Sequence, residues 1–452
     1  MVSILGANSV SGGYEVSNSL RFNDDDDARL TRSVSGNLSK AHTFALWIKR
    51  ANLKASGRHI LAAMGDGSGD ISWLELNNDR IAMLFDGAGN YFPKTDAVLR
   101  DPSAWYHIVV TVDSAQGTAS NRCKFYLNGT QLTDTSGTNP PQDHQAAMDA
   151  CTIGYNSGDE FDGYMAEFHF LDGVAYDPTY FGEFNDNGVW IPKKYTGGNY
   201  GTNGFYFEFK QTGTSQNSSG IGADTSGNDN HFAVTNLAAT DVTTDTPTNN
   251  YATMNPLDHS GFTFSEGNLK VVTPSGDGSC RATIAMPSGK WYWEVLYLAT
   301  TSGNIGEFGI LATDSYPITQ SINQFSSGGY SYLADGNKSG DGSVSSYGAS
   351  YTTGDIIGVA FDADNGILAF YKNGSSQGNA FTGKTDKLYA PAISDPNGGQ
   401  AATDVANFGQ EGSFAGNKTA QGNSDANGYG DFYYSVPSGY YALNTKNLAE
   451  FG

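Results

Sequence analysis

One stretch, residues 354–374, constrains the fold of this chain more than any other. Its sequence is GDIIGVAFDADNGILAFYKNG, in which two short apolar runs flank a polar turn. Asn365-Gly366 accepts the positive φ angles of tight hairpin turns, and Asn373-Gly374 offers a second turn of the same kind. The stretch therefore predicts a β-hairpin that feeds a second hairpin, with Asp362 and Asp364 as residues of the first hairpin.

The same pattern occurs once earlier in the chain. The strand-like run Trp105–Asp113 is followed by a polar loop and by Cys123–Gly129, which ends in Asn-Gly. The chain also contains 57 Gly, 26 Tyr and 25 Phe but only 16% charged residues, a composition typical of short strands joined by turns. We therefore predict an all-β protein with two antiparallel β-sandwich (jelly-roll) domains.

At 452 residues the chain is too long for a single hydrophobic core. We expect an N-terminal arm at 1–14 and a first sandwich at 15–244, in which the aromatic run 205–209 adds an edge strand. Residues 245–256 contain two prolines and disfavour both strand and helix, so they are predicted to form a linker. The second sandwich is then expected at 257–452.

The charge and the terminal sequence exclude two classes of partner. A formal net charge of −22 repels phosphate backbones, so we expect no direct nucleic-acid binding. No run approaches the ~20 apolar residues of a membrane span, so no membrane insertion is expected. The N-terminus has no basic region before an apolar core, so a standard amino-terminal export signal is not predicted.

The three cysteines do not form a recognisable framework. Cys123, Cys151 and Cys280 are too few and too scattered for a disulfide scaffold or a zinc site. Cys123 and Cys151 could lie on neighbouring strands of one domain. A bridge between them stays open as the less favoured alternative, because free cysteines are usually buried.

No pattern of residues indicates catalysis. A glycosidase needs two carboxylates about 5–10 Å apart, which on one strand requires acidic residues at even spacing. The nearest approach, Asp159-Glu160 followed by Asp162 and Glu167, does not keep that period and is interpreted as turn and edge residues. No metal-binding histidine pair or phosphate-binding loop occurs either. We therefore predict that the protein is not an enzyme.

Two kinds of binding site are candidates. Asp66 and Asp70, in the sequence DGSGD, offer oxygen ligands at the short spacing that Ca²⁺ prefers, although Asp and Gly are also ordinary turn residues. Calcium is the one cofactor that these residues suggest. Exposed tyrosines on Gly/Ser-rich loops suit binding surfaces, because their rings are large and rigid with a polar tip. The ligand-binding candidates of this type are Tyr330, Tyr332, Tyr347 and Tyr351.

The motifs of the first half, taken in order, resemble the laminin-G/concanavalin-A-like jelly roll over roughly residues 15–195. This resemblance implies a lectin-like sandwich that can bind calcium at its loop rim. The motifs that carry it are Ser19-Leu-Arg-Phe22, Phe44-Ala-Leu-Trp47, Trp105-Tyr-His107, Phe125-Tyr-Leu-Asn-Gly129 and Phe161-Asp-Gly-Tyr-Met-Ala-Glu-Phe168.

The second half resembles a SPRY (B30.2-like) domain, which implies protein recognition through loops at one end of a sandwich. The motifs are Trp291-Tyr-Trp293, Phe308-Gly-Ile310, Gly354–Asp362, Tyr371-Lys-Asn-Gly374 and Tyr389-Ala-Pro391. Residues 245–255 and 437–448 also resemble segments of structural proteins of marine bacteriophages.

These observations favour a non-enzymatic structural or adhesive component of a bacteriophage virion, such as a tail fibre, appendage or capsid decoration. We expect an external location, with a host cell-surface glycan or protein and other virion proteins as partners. Single sandwiches bind weakly, so a homo-oligomer or many-copy array is expected. The alternatives are an extracellular carbohydrate-active enzyme and a secreted lectin or adhesin.

Overall fold

A computed structural model describes residues 13–53, 57–65, 71–85, 91–146, 148–301, 303, 305–395 and 400–452. Over these residues the protein is built almost entirely of antiparallel strands, and it divides into two compact units between Thr248 and Asn249. The predicted fold class, an all-β protein of β-sandwiches, is confirmed.

The first unit contains two large antiparallel sheets. Its strands are β1 Ser19–Phe22, β2 Arg29–Ser33, β3 Ala41–Arg50, β4 Arg58–Met64, β5 Ser72–Asn77, β6 Arg80–Phe85, β7 Lys94–Thr95, β8 Trp105–Asp113, β9 Cys123–Leu127, β10 Thr130–Leu132, β11 Thr135–Ser136, β12 Ala150–Ile153, β13 Gly163–Asp172, β14 Gly182–Phe184, β15 Trp190–Pro192, β16 Phe205–Phe207, β17 Ala233–Thr235 and β18 Val242–Thr243. Short 3₁₀ helices lie at Asp24–Asp26, Ala119–Asn121, Pro178–Tyr180 and Ala239–Asp241.

The strand order of the first sheet is β10-β9-β8-β3-β13-β1-β18, and β16 also pairs with β13. The order of the second sheet is β11-β7-β6-β5-β4-β12-β2-β17, while β14 and β15 form a separate hairpin. The predicted pairing of β8 with β9 is confirmed.

The two faces of β3 pack against different clusters, as alternation along a strand requires. One face contributes Phe44, Leu46 and Ile48 to the main core, and the other face carries Ala45 and Trp47.

A β-bulge interrupts β13 at the centre of the first sheet. Ala166 pairs with Trp47 and His169 pairs with Ala45, so two residues of β13 lie opposite one residue of β3. Glu167 has a φ of +48°, which is unusual for a residue with a side chain. The extra residue shifts the alternation, so that Met165 and Phe168 both reach the core.

The second unit also contains two antiparallel sheets. Its strands are β19 Met254–His259, β20 Thr263–Ser265, β21 Lys270–Val272, β22 Gly278–Ala282, β23 Lys290–Thr300, β24 Glu307–Ala312, β25 Gly329–Leu333, β26 Asn337–Gly340, β27 Ser343–Ser346, β28 Ile356–Asp362, β29 Ile367–Lys372, β30 Ser375–Phe381, β31 Tyr389–Asp395, β32 Ala402–Asn407 and β33 Tyr441–Ala442. A 3₁₀ helix lies at Ile322–Gln324, and helix α1 spans Thr445–Phe451.

The sheet orders of the second unit are β19-β22-β31-β24-β25-β26-β27 and β20-β21-β32-β23-β28-β29-β30, with β33 parallel to β23. The predicted double hairpin is confirmed as β28, β29 and β30. Asp362 is the last residue of β28 and pairs with Ile367 of β29, and its carboxylate accepts hydrogen bonds from Asn365 in the hairpin turn. The carboxylate of Asp364 accepts the N–H of Gly289 at 2.9 Å.

The segment after β32 packs on the outer face of the sheet that contains β23. Phe414 and Phe432 are buried against residues of this sheet. Glu294 of β23 is fully buried and accepts the N–H groups of Tyr433 and Tyr434, both at 2.8 Å. This carboxyl group therefore fixes the C-terminal segment to the sheet.

The stretch 245–256 is not the strand-free linker that its prolines predicted. Asp245 lies within the first unit, where its buried carboxylate is 2.7 Å from Nζ of Lys49. In the second unit the N–H of Ala252 donates to the carbonyl of Leu443, and Met254 begins β19. The polar groups of the stretch thus find partners within each unit.

The predicted N-terminal arm, residues 1–14, lies outside the described residues except for Gly13 and Tyr14. Tyr14 is half-buried, and its hydroxyl is 3.2 Å from that of Tyr206. Cys123 and Cys151 are free, buried thiols on β9 and β12, which belong to different sheets, so the alternative of a disulfide is not realised.

Candidate functional site

Three of the four tyrosines predicted to contact a ligand lie in the core of the second unit. Tyr330 and Tyr332 belong to β25, which lies between β24 and β26, and Tyr351 is also buried. Their exposed fractions are 3%, 0% and 1%. The prediction that they are exposed is wrong, because the Gly/Ser-rich stretch around β25 forms an interior strand and not a loop.

Their hydroxyl groups are also engaged. Tyr330 donates to the carboxylate of Asp341 at 2.8 Å, and Tyr351 is 2.8 Å from the carbonyl of Gly306. These tyrosines therefore stabilise the sandwich. Tyr347 is half-buried and packs against the core, so its contact role stays a prediction.

The calcium candidates Asp66 and Asp70 lie outside the described residues. Within the described part of the chain, no group of three or more His, Cys, Asp or Glu side chains is placed to hold a metal ion. No helix of the described residues is long and apolar enough to cross a membrane.

An open cavity of about 480 Å³ lies in the first unit and is a candidate binding site. Its volume falls within the range of small-molecule sites. Four aromatic rings dominate its lining, and polar side chains and one glycine complete it. The lining residues are Tyr14, Tyr195, Tyr200, Tyr206, Lys194, Glu208, Thr196, Thr225 and Gly198. We call it the tyrosine cavity.

Strand β16 supplies part of the cavity wall through its alternation. Phe205 and Phe207 are buried in the main core, while Tyr206 and Glu208 line the cavity. The buried carboxylate of Asp224 accepts the N–H of Tyr206 at 2.9 Å and so fixes the strand against the following loop.

The bulge residue Glu167 lies behind the cavity wall. Tyr206 donates its hydroxyl hydrogen to Oε2 of Glu167 at 2.7 Å, and the hydroxyls of Tyr206 and Tyr14 are 3.2 Å apart. Glu167 is 7% exposed. Burial raises the pKa of its carboxyl to about 7, while hydrogen bonds from Tyr206 and Tyr14 oppose this effect.

A stacked aromatic layer supports the same wall. The rings of His169 and Tyr206 stack with centroids 4.1 Å apart, and Nδ1 of His169 is 2.8 Å from the hydroxyl of Tyr200. Burial lowers the pKa of His169 to about 3, so this imidazole is neutral near pH 7. Its contact with Glu167 at 3.9 Å is therefore not an ion pair.

The cavity offers both flat aromatic surface and hydrogen-bonding groups. The hydroxyl of Tyr195 is buried and has no hydrogen-bond partner among the described residues. Oε1 of Glu208 is 3.2 Å from Nζ of Lys210. The side chain of Lys194, which also lines the cavity, is exposed. This combination suits a flat, hydroxylated ring that packs on a tyrosine face and exchanges hydrogen bonds at its edge.

The sequence signals for this site were present but incomplete. The alternation in residues 205–209 predicted a strand of the first domain, and it placed Tyr206 and Glu208 on one face. Glu167 was interpreted as an edge residue, whereas it lies in an interior strand. The apolar residues Met165 and Phe168 are three positions apart and not two or four, and this break in the alternation of β13 was the sequence signal for the bulge.

Two family models match the chain. The model described as the Concanavalin A-like lectin/glucanases superfamily, of the laminin G type, matches residues 22–178, and the SPRY domain model matches residues 290–410. The protein is therefore a two-domain β-sandwich protein. It contains a laminin G-type, concanavalin A-like domain followed by a SPRY domain, as its motifs predicted.

Curated relatives include Ran-binding protein 9 of Danio rerio, 32% identical over an alignment of 157 residues; the match covers 32% of this chain and 26% of the relative. The Ran-binding proteins 9/10 homolog of Drosophila melanogaster is 34% identical over an alignment of 158 residues, and the match covers 33% of this chain and 16% of the relative. The matched region thus spans about a quarter or less of these relatives, whose names refer to Ran binding.

Solved structures that match part of the chain include the SPRY domain of human HERC1. It is 19% identical, with a TM-score of 0.31, and the match covers 34% of this chain and 96% of that one. The heptameric SAP-like pentraxin of Limulus polyphemus is 14% identical, with a TM-score of 0.29 and coverage of 36% and 80%.

Proposed function

We propose that this protein is a non-enzymatic adhesive component on the outside of a bacteriophage virion, and that its first unit binds a host-surface glycan in the tyrosine cavity. The observation that carries the glycan assignment is the cavity itself. Its aromatic walls and edge hydroxyls match the faces and edges of a pyranose ring, whose C–H groups pack on electron-rich aromatic faces.

The second unit supplies a different kind of contact in this proposal. SPRY domains recognise proteins, so this unit is assigned to neighbouring virion proteins, with Tyr347 as a candidate contact. The net charge of −22 suits a surface that does not adhere to the packaged genome. Weak single sites gain avidity when many copies are displayed, so an oligomer or array follows from the proposal.

The location is tested on purified particles. Mass spectrometry is expected to find the protein in particles, and antibodies against it are expected to label intact, unopened particles. Absence from particles, or labelling only after they are opened, contradicts the external virion assignment. A monomer in free solution does not bear on it, because assembly can require the particle.

Glycan binding is tested on the full chain with four soluble probes: methyl glucoside, methyl galactoside, N-acetylglucosamine and glucuronate. Saturation-transfer NMR is expected to show contact with at least one of them. Tyr195→Ala is expected to abolish the signal, whereas the exposed tyrosine of the second unit, Tyr316, can be changed to Ala without effect. Equal signals from both variants would place the site elsewhere.

A glycoside hydrolase is the second candidate, because a buried carboxyl with a raised pKa beside a second carboxylate is a pattern of such enzymes. Glu167 and Glu208 provide this pair. However, Glu167 does not line the cavity and is hydrogen-bonded to Tyr206. We therefore expect no release of reducing ends from polysaccharides, and turnover that Glu167→Gln abolishes would establish the hydrolase instead.

A further inference from the structure

We propose that the tyrosine cavity is a proton-linked site, in which ionised Glu167 holds Tyr14 in place as a wall of the cavity and protonated Glu167 loosens it. This inference deepens the proposed function by adding regulation of the same cavity, and its effect on affinity rests on glycan binding there. The positioning of Tyr14 is independent of any ligand.

The geometry provides a continuous chain of polar groups. The hydroxyl of Tyr14 meets that of Tyr206 at 3.2 Å, and Tyr206 donates to Glu167 at 2.7 Å. Both tyrosines line the cavity, whereas the carboxyl group lies behind it. A change at the carboxyl therefore reaches the ligand side through the two hydroxyls.

The position of Glu167 depends on the bulge in β13. A glutamate at positive φ occupies a sparsely populated backbone region, which costs free energy. A regular strand would not require this conformation. The bulge brings the carboxyl next to Tyr206 while it keeps Phe168 in the core.

The charged and titratable groups around Glu167 allow it to titrate alone near neutrality. On β13, His169 stays neutral, because burial lowers its pKa to about 3. Beyond β16, Glu208 favours protonation of Glu167 and Lys210 opposes it. The remaining neighbours are tyrosines with pKa values raised by burial, Tyr206 on β16, Tyr200 on the loop before it and Tyr14 on the N-terminal segment.

Ionisation changes the strength of the chain. A hydrogen bond to a carboxylate is roughly twice as strong as one between neutral groups. The Tyr14–Tyr206–Glu167 chain is therefore tightest above neutrality and weakens as pH falls. A bound ligand that covered Glu167 would oppose this trend, because desolvation favours the neutral acid. Glu167 is only 7% exposed without a ligand, so a ligand can remove little further water from it. The affinity for a ligand that packs on Tyr14 falls in acid.

The test places a nitroxide label beside Tyr14. Glu15 is exposed and the three native cysteines are buried, so the full chain with Glu15→Cys is labelled at one site. Label mobility is expected to change about twofold between about pH 5.5 and about pH 8.5, with a midpoint near 7 and the lower mobility at high pH.

Three variants in the labelled chain decide the outcome. Glu167→Gln is expected to abolish the pH transition, and Tyr206→Phe is expected to give high mobility at all pH values. Glu208→Gln is the matched control: it keeps the transition and moves the midpoint to lower pH, because the charge of Glu208 raises the pKa of Glu167. Circular dichroism confirms that each variant is folded.

A flat mobility profile in the parent, or a transition that survives in folded Glu167→Gln, overturns the proposal. If the label titrates and none of the four sugar probes binds, the proton-linked wall stands and the glycan assignment fails. If a sugar binds with an affinity that is independent of pH while the label titrates, the coupling to the ligand is refuted.

Discussion

At the scale of single residues, each unit contains one buried glutamate whose pKa is raised by burial to about 7. Glu294 in the second unit has a pKa raised to about 7 by burial, like Glu167 in the first, although the N–H groups of Tyr433 and Tyr434 oppose the shift. Hydrogen bonds from neutral donors therefore offset only part of the desolvation of a carboxylate.

Glu294→Gln is expected to remove a pH dependence of stability. The folded pKa lies above the unfolded value, so the stabilisation by Glu294 is fully present below about pH 4.5 and is lost as pH rises through about 7. The shift corresponds to on the order of 3 kcal/mol.

Urea denaturation at about pH 5.5 and about pH 8.5 is expected to show a smaller difference in the free energy of unfolding between the two pH values in the variant than in the parent. Glu183→Gln, at an exposed position of the first unit, is the control and leaves the difference unchanged.

The buried ion pair between Lys49 and Asp245 makes the second residue-scale prediction. Asp245 also accepts Nε1–H of Trp105 at 3.1 Å, and both charged side chains are fully buried. Asp245→Asn leaves a buried lysine without its counter-charge and is expected to destabilise the first unit by about 3–5 kcal/mol.

The double variant Lys49→Met/Asp245→Leu separates the cost of the unpaired charge from the value of the pair. Two apolar side chains can replace a buried pair with little loss, so denaturation is expected to show the double variant closer to the parent than Asp245→Asn. A double variant less stable than Asp245→Asn would contradict this explanation.

At the scale of elements, we expect the folding of the second unit to depend on the buried strand β28. Val359 is fully buried and pairs with Phe370 of β29. Val359→Asp buries a charge without a partner, so we expect the second unit to unfold while the first unit keeps its structure. Differential scanning calorimetry of the full chain is expected to lose the transition of the second unit.

Val344 provides the matched control for this substitution, because it lies on the edge strand β27 and is 53% exposed. Val344→Asp is expected to change stability by no more than about 0.5 kcal/mol. Equal effects of the two substitutions would show that burial of β28 is not the cause.

At the scale of the whole molecule, the division between the units falls in an ordered segment. The N–H of Ala252 donates to Leu443 at 3.1 Å, and that of Met254 donates to Asn268 at 3.0 Å. Hydrogen exchange is therefore expected to protect these two amides like those of the strands. The amide of the exposed residue Gly227 is expected to exchange fast. Rapid exchange at Ala252 would support the linker that the sequence predicted.

The sequence by itself determined the fold class, the two hairpins and the order of the two domains. Turn dipeptides such as Asn373-Gly374 act locally, and the short apolar run of β28 indicates a strand from its own residues alone. For the same reason the motifs of each domain identified it without knowledge of strand pairing.

Only the tertiary structure decided which tyrosines line a cavity and which carboxyl lies behind its wall. The burial of Tyr332 depends on neighbours from other strands, and no local pattern distinguishes it from Tyr206. Tyr14, Glu167 and Tyr206 are separated by up to 192 residues in sequence and meet because β13 bulges where β16 pairs with it. Local preference sets strands and turns, whereas a site depends on contacts between segments distant in sequence, and those contacts exist only in the folded chain.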